Sequence, residues 1–524
     1  MKALDLIIII AYLVGIVLFG TWFSRKQKTT RDYFLGGRSV PWWAVAFSIV
    51  ATETSTISFI SVPGIAFARG GNFQFLQLVF GYLLGRIVIS ILLIPAYFRG
   101  ELLTVYQLLD RRFGAKIKMV AASLFVVMRN IADGIRLLLT AIVLAAVYAA
   151  FQPSTNPEMI IIGSIVLIGL AMIIFTYFGG MEAVIWVEVV QLGIYIAGAI
   201  AAAIVLIMSI QGGVGTASSL ATQFGKFSLF DFTFDHTRTY TFWSGLIGGC
   251  FLTMSTHGTD QYLVQRYLCT DRARRAIVAL LTSGLIVLVQ FIGFLFIGVL
   301  LFAFYQPFTD PAYSTAASTA FPFTGGDRVF PDFITKYMPT GLSGLVVAAI
   351  FAAAMSSSLN SIAATAVNDL YKPFRPARDD KHYLKVSHVL TLVWGVVQIG
   401  VALAVRNQPG SALSQALSIA SLINGPILGV FLVGTLMPRV SQPPALIGML
   451  VSLGAMLYVF LGTSIAWTWF VFLGSLITVV VAWAASFAFS ALPLPSSAPL
   501  RSKEQFTAET QRKAEVAQRK VSES

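Results

Sequence analysis

Charge is what this sequence has least of. Asp, Glu, Lys and Arg together make up 11% of 524 residues, whereas 57% are hydrophobic and the mean hydropathy is +0.80. Soluble domains carry about 25% charged residues, so a water-soluble fold is excluded. Cysteine is nearly missing. Cys250 and Cys269 fall on one expected helix, about 28 Å apart at about 1.5 Å per residue, too far to bridge. They say nothing about redox compartment. P-loop, zinc-binding and Gly-x-Ser-x-Gly patterns are also missing, which leaves an ATP-driven pump and a hydrolase unsupported.

What fills the chain is apolar runs. About thirteen are long enough to span a bilayer, beginning near residues 4, 41, 73, 118, 158, 183, 240, 276, 342, 384, 411, 441 and 466. The first, Leu6 to Trp22, has the length of a signal peptide. No small-residue cleavage site follows, and basic Arg25, Lys26 and Lys28 come next, so it is expected to stay. The net charge of +13 would suggest nucleic acid in a soluble protein; its placement points to a membrane instead. With the N-terminus outside, the clusters Arg25 to Arg38, Arg99 to Lys118, Arg266 to Arg275 and Lys372 to Lys385, with Arg439 and the tail, become cytoplasmic and hold 26 of the 36 basic residues. The positive-inside rule then gives N-terminus out, C-terminus in and an odd number of spans. The loops near 210 to 240 and 305 to 340 read as ordered outer caps or gates. The tail from Pro493 reads as flexible or as a basic surface segment beside anionic lipid.

Three spans carry polar groups where a lipid-facing helix has no use for them. Gly344 to Phe374 begins as a nearly all-apolar helix and then supplies Ser356, Ser357, Ser358, Asn360, Ser361 and Thr365. Hydroxyls with a freed carbonyl make an oxygen cage for a small hard cation; alternatively they bond back one turn or let helices pack closely. Trp42 to Ala68 is polar at its centre, from Thr52 through Glu53, Thr54, Ser55 and Thr56 to Ser58, with Pro63 and Gly64 beyond. Its counterpart near 242 to 268 has small residues and then Thr253, Ser255, Thr256, His257, Thr259, Asp260 and Gln261. Two such segments in corresponding positions point to a transporter of inverted repeats with interrupted helices around a midplane site.

Intramembrane charges need partners or a cavity. Glu53 reads as a substrate or cation contact, or as a carboxylate capping amides at the break. His257 lines a pocket or is a satisfied core residue. Arg129, Asp133 and Arg136 share one helix face at spacings of four and three, leaving one net positive charge that would suit a substrate carboxylate, or else forming a structural triad. Arg86 has no local partner; snorkelling or a partner on another helix remains open.

The chain resembles the sodium:solute symporter family, which includes bacterial proline, galactose and sialic acid symporters and the human glucose and iodide carriers. The resemblance rests on Trp42-Trp43; Phe178-Gly179-Gly180-Met181-Glu182-Ala183 with Trp186 and Gln191; Asp260-Gln261 with Gln265-Arg266; Ala353 to Ser357 with Leu359-Asn360-Ser361 and Asp369-Leu370-Tyr371; and Gly425-Pro426 with Gly429 and Gly434. It implies an all-α polytopic fold. An extra first helix lies at about 4–24, a five-plus-five inverted-repeat (LeuT-like) core with broken helices at about 41–437, and peripheral helices at about 440–490. Residues 1–492 then form one transmembrane domain and 493–524 a basic cytoplasmic tail.

The resemblance also implies a sodium site of Ala51 and Thr54 on the broken helix and Ala353, Ser356 and Ser357 on the Gly344 segment. Between the serine pair and Leu359-Asn360-Ser361 this chain is about three residues shorter than the family pattern. Aligned without a gap, Ala353 and Ala354 take the hydroxyl positions, and Ser356 and Ser357 fall at an optional second cation site whose acid is Glu188. The reading adopted here is a sodium-coupled symporter, not an enzyme, in a bacterial inner membrane. It imports a sugar, sugar acid, amino acid or other carboxylate by alternating access, needs no organic cofactor and no nucleic acid, and a monomer suffices. Substrate contacts are assigned to Glu53, Ser55, Ser58, Thr256, His257 and Arg136, and a structural polar network to Arg129, Asp133, Asp260, Gln261 and Asn360. The alternatives are proton-coupled or uncoupled transport, or a solute sensor of the same fold.

Overall fold

The computed structural model describes residues 2–22, 29–54, 56–99, 102–151, 156–309, 326–355, 358–376, 378–406 and 412–490. Among these, every regular element is helical: α1 (Ala3–Trp22), α2 (Thr30–Leu35), α3 (Trp42–Glu53), α4 (Thr56–Phe67), α5 (Leu76–Leu92), the single turn α6 (Ile94–Tyr97), α7 (Tyr106–Phe113), α8 (Ala115–Phe151), α9 (Pro157–Ser209), α10 (Gly213–Gln223), α11 (Gly249–Gly258), α12 (Gln261–Leu268), α13 (Ala273–Tyr305), α14 (Val329–Lys336), α15 (Leu342–Met355), α16 (Leu359–Thr365), α17 (Asp380–Val405), α18 (Ala412–Leu436), α19 (Gln442–Gly462) and α20 (Phe470–Ser490). Six of them have the length and composition to cross a bilayer, and the shorter apolar helices fill in between.

The sequence says why the chain bends where it does. Thr29 and Asp32 form a reciprocal capping box that opens α2, and Gly36 ends it in the left-handed region; the chain then turns through 109° into α3. α9 is 53 residues long, about 80 Å at about 1.5 Å per residue, more than twice a bilayer core. It bends at Gly180, whose φ of 61° and ψ of −168° suit glycine. The two spans expected from about 158 and 183 are thus present as two helices that meet end to end at this kink, with no loop between them.

Both expected interruptions are present. α3 stops at Glu53 and α4 starts at Thr56; α11 stops at Gly258 and α12 starts at Gln261. This second break corrects the expectation that Cys250 and Cys269 share a helix: they lie on different segments, each buried. In the serine-rich stretch α15 is described as far as Met355, and α16 begins at Leu359 after a non-helical Ser358, followed by a wide π turn over Ala366–Tyr371. Ser55, Ser356 and Ser357 lie outside the described residues.

Two apolar cores meet at the first break. Ile49 belongs to the core shared by α2, α5, α8 and α18, whereas Val50 and Ala51 belong to the one shared by α4, α13, α14 and α15. The 210–240 loop contains α10, and Lys226 just beyond it donates to the carbonyls of Ala66, Phe67 and Ala68 at 3.0, 3.2 and 2.6 Å, closing the end of α4. At the other end of the chain, Asp5 accepts from the backbone N–H groups of Gly341 and Gly344 at 2.6 and 3.1 Å and so caps the start of α15 from a different helix.

α5 lies backbone to backbone on the π turn that precedes α11. A Cβ on Gly81 would sit 2.3 Å from the Gly245 carbonyl oxygen and 2.8 Å from the Cys250 nitrogen. Gly15 has nothing within 4 Å of such an atom. Gly81→Val is therefore expected to lower the melting temperature of the purified protein by about 5 °C or more, and Gly15→Val to leave it unchanged, read by fluorescence-monitored thermal unfolding in detergent.

Candidate functional site

The break in α3–α4 is built around Glu53. Arg86 of α5 donates to its carboxylate, and His257 Nε2 of α11 lies 3.1 Å from its other oxygen. The His257 ring is held by Thr256 Oγ1 at 3.0 Å from Nδ1 and touches Arg86 at 3.3 Å. Arg86 and His257 are buried, while the Glu53 side chain keeps 14% of its surface. The partner of Arg86 thus lies on another helix segment, as one of the two open readings allowed, and Glu53 is joined to a cationic side chain. An ion pair across the break leaves the helix ends to local donors: Ser58 donates to the Glu53 carbonyl at 2.9 Å. Thr256 is likewise engaged, bonding back to the Leu252 carbonyl at 3.0 Å.

Thr54 occupies the break itself, its Oγ1 at 2.7 Å from the Val50 carbonyl and 2.8 Å from Gln290 Oε1 of α13. Gln290 Nε2 is buried and has no hydrogen-bond partner among the described residues. Sequence reading missed Gln290; its only signal is a lone amide in an apolar span. Ala51 is buried in the last turn of α3. α15, which carries Ala353 in its last turn, packs on α1 and α9 and touches α4.

A second polar centre surrounds Tyr262 at the start of α12. Asp260 caps α12 by accepting from the Tyr262 N–H at 2.8 Å and lies 3.5 Å from Arg129. Asp133 lies 3.6 Å from Arg129 and 3.8 Å from Arg136, and accepts from Ser358. Asp260 therefore neutralises the charge that the Arg129, Asp133 and Arg136 triad alone leaves over, which corrects the expected net positive charge. The Arg129, Arg266 and Arg136 guanidinium carbons stand 3.9, 4.5 and 5.8 Å from the centre of the Tyr262 ring, and Arg136 donates to its hydroxyl at 3.2 Å. Arg136 is the most open of the three, with 20% of its side chain exposed.

Glu188 on α9 is buried and takes Arg266 of α12 on both carboxylate oxygens; Ser48 donates to one oxygen and Thr52, at 3.1 Å, to the other. Three interrupted or bent elements, α3, α9 and α12, thus meet on one carboxylate. Gln261 bonds the Val105 N–H at 2.8 Å and the Leu103 carbonyl at 3.2 Å, and Asn360 accepts from Gln265 at 2.7 Å. Both belong to the polar packing between segments, away from Glu53.

A model of the sodium:solute symporter family matches residues 33–452. The sodium/sialic acid symporter NanT of Aliivibrio fischeri is 31% identical over 485 residues, 92% of each chain. The human sodium-coupled monocarboxylate transporter 1 is 28% identical over 469 residues, 88% of this chain and 74% of that one. Among solved structures, a Na+-coupled sialic acid symporter in a substrate-bound outward-open state superposes with a TM-score of 0.80 at 29% identity, over 93% of this chain and 98% of that one. MHP1, a nucleobase-cation-symport-1 family transporter in a closed conformation, gives a TM-score of 0.54 at 14% identity, over 90% and 97%; this is a likeness of fold.

Breaking a buried ion pair costs about 3–5 kcal/mol, while replacing both partners by apolar residues costs far less. Arg266→Met is accordingly expected to lose most of the folded protein on size-exclusion chromatography. The double variant Glu188→Leu with Arg266→Met should recover more than half of the lost melting temperature.

Proposed function

Because the chain belongs to the sodium:solute symporter family, we propose that it imports a small polar organic solute together with sodium by alternating access. It is a multi-pass membrane transporter, and the family and its relatives are carriers rather than enzymes. The observation that carries the reading is the convergence of the two interrupted spans, with Glu53, Thr54, His257 and the unspent Gln290 amide at one level of the bundle and α15 alongside. An interrupted helix supplies backbone oxygens at the membrane midplane, which is where a coupling ion and its solute are held in such folds.

Sodium is assigned to Ala51 and Thr54 together with Ala353, Ser356 and Ser357. Glu188 is the candidate acid of a second cation, which would share its carboxylate with Arg266. Glu53, Ser55, Ser58, Thr256, His257 and Arg136 are assigned to the solute. The guanidinium of Arg136, partly exposed, 3.8 Å from Asp133 and bonded to the Tyr262 hydroxyl at 3.2 Å, favours a solute with a carboxylate, and the relatives named for sialic acid and monocarboxylates point the same way. Domain limits stay as read above, with about thirteen spans, the N-terminus out and the C-terminus in, as in a bacterial inner membrane. Each positive charge carried inward then gains about 2.3 kcal/mol per 100 mV, about a fiftyfold accumulation.

Sodium replacing potassium at constant ionic strength is expected to raise the melting temperature of the wild type in detergent and not that of Ser357→Ala, since a ligand of the folded state stabilises it by mass action. An unchanged wild type would overturn the assigned site. In proteoliposomes, uptake of a carboxylate solute should collapse when the sodium gradient is removed. Uptake that follows a proton gradient instead would transfer the coupling to protons.

Arg136→Gln should raise the KM for such a solute by about tenfold or more, given about 1.5–3 kcal/mol for a charged hydrogen bond. Its sodium-dependent thermal shift should remain.

A further inference from the structure

A cavity of about 470 Å³ lies between the last turns of α5 and α6, the short helix α7 and the end of α18. It shares α5 with the Glu53 centre, whose Arg86 stands before Ile91 on that helix, but none of its lining residues belongs to the Glu53 or Tyr262 centres. Three arginines line it, Arg99, Arg111 and Arg112, together with Thr435 and the apolar side chains of Phe431 and Ile91. Two of the arginines are held in place. Arg112 is held over the Phe113 ring and on the carbonyls of Met437, Pro438 and Val440 at 3.0, 2.8 and 2.9 Å, and Arg111 donates to the Arg99 carbonyl at 3.2 Å. Asp110, on the same short helix, is taken by Lys118 at 2.7 Å.

The cavity opens sideways. Ile91 is 74% exposed at its rim, and Leu84 and Ile87, also exposed, continue the same face of α5 at helical spacing. An apolar stripe thus leads along the outside of the bundle into a cationic cleft. We propose that this cleft binds an anionic phospholipid of the surrounding leaflet, with the phosphodiester at Arg99 and Arg111 and an acyl chain along Ile91, Ile87 and Leu84. A soluble anion would need the cations but has no use for the stripe; a neutral lipid would need the stripe but not the cations. The lipid bridges the ends of α5 and α18. Placing that leaflet on the cytoplasmic side rests on the orientation proposed above, and basic clefts between spans at that surface attract acidic headgroups.

The test titrates the purified full-length protein in neutral detergent with phosphatidylglycerol, phosphatidylcholine or inorganic phosphate and reads the melting temperature. Phosphatidylglycerol should raise it saturably, and the other two should not. A basic residue at an anionic surface is worth about fivefold, so Arg99→Gln should weaken the apparent affinity for phosphatidylglycerol about fivefold. Arg99→Gln with Arg111→Gln should weaken it about 25-fold, with the lipid-free melting temperature unchanged; if the double variant does not fold, the single one decides. An equal response to phosphatidylcholine, or an unaltered response to phosphatidylglycerol in the variants, overturns the proposal; an equal response to phosphate makes the cleft a soluble-anion site instead. Labelling of Arg99→Cys by an impermeant thiol reagent from outside intact cells would overturn the orientation while leaving the detergent result standing.

Discussion

A carboxylate buried among apolar helices has to be matched by a cation, and Glu188 with Arg266 is where this bundle meets that demand. The pair is enclosed, and Ser48 and Thr52 fill the remaining acceptor positions. In a low-dielectric interior neither charge can stay without the other, so α3, α9 and α12 are tied at one point. Tyr262, one turn before Arg266, presents its ring to Arg129 and Arg136, and Asp260 fixes the start of α12 against α8.

The two breaks are stabilised by the same kind of contact. At the first, Glu53 is matched by Arg86 and His257 from α5 and α11; at the second, Asp260 is matched by Arg129 from α8. An interrupted helix loses backbone hydrogen bonds inside the membrane, which is tolerated only where protein or a ligand satisfies the freed groups. Side-chain ion pairs beside each break hold the half-helices in register. They leave Thr54 bonded to Gln290 in the break itself, with the Gln290 Nε2 lacking a hydrogen-bond partner among the described residues. Because Ile49 and Val50 belong to different apolar cores, the two cores meet at that place, although α5, α9 and α13 run through both.

How much of this was legible in the sequence depended on the range of the signal. The polar centres at Thr52 to Ser58 and Thr253 to Gln261 gave both breaks, because hydroxyls and carboxylates in an apolar run are a local pattern. The kink of α9 was marked by Gly179-Gly180 and read as a boundary between two helices, which the non-helical backbone of Gly180 bears out; what a glycine pair does not say is that the second helix resumes without a loop. The Cys250 and Cys269 geometry failed for the opposite reason: it assumed a continuous helix across Thr259. The partners of Arg86, Asp260 and Glu188 lie 33 to 171 residues away in sequence. Such matches are set by tertiary packing, and only the need for a partner could be read in advance. Lys226 and Asp5 were missed outright, because a single charge in a loop or in the first turn of an apolar helix looks the same whether or not it caps a distant element.

Asp5 gives the first helix a meaning that its composition hides. The negative end it presents to Gly341 and Gly344 sits on the positive pole of α15, and Gly344 allows the two backbones to touch there. α1 is therefore electrically part of the helix that carries Ala353, not a passive anchor beside it. Any displacement of α15 along its axis must either carry α1 with it or uncover a helix pole in the membrane, so the two are expected to travel as one rigid strut.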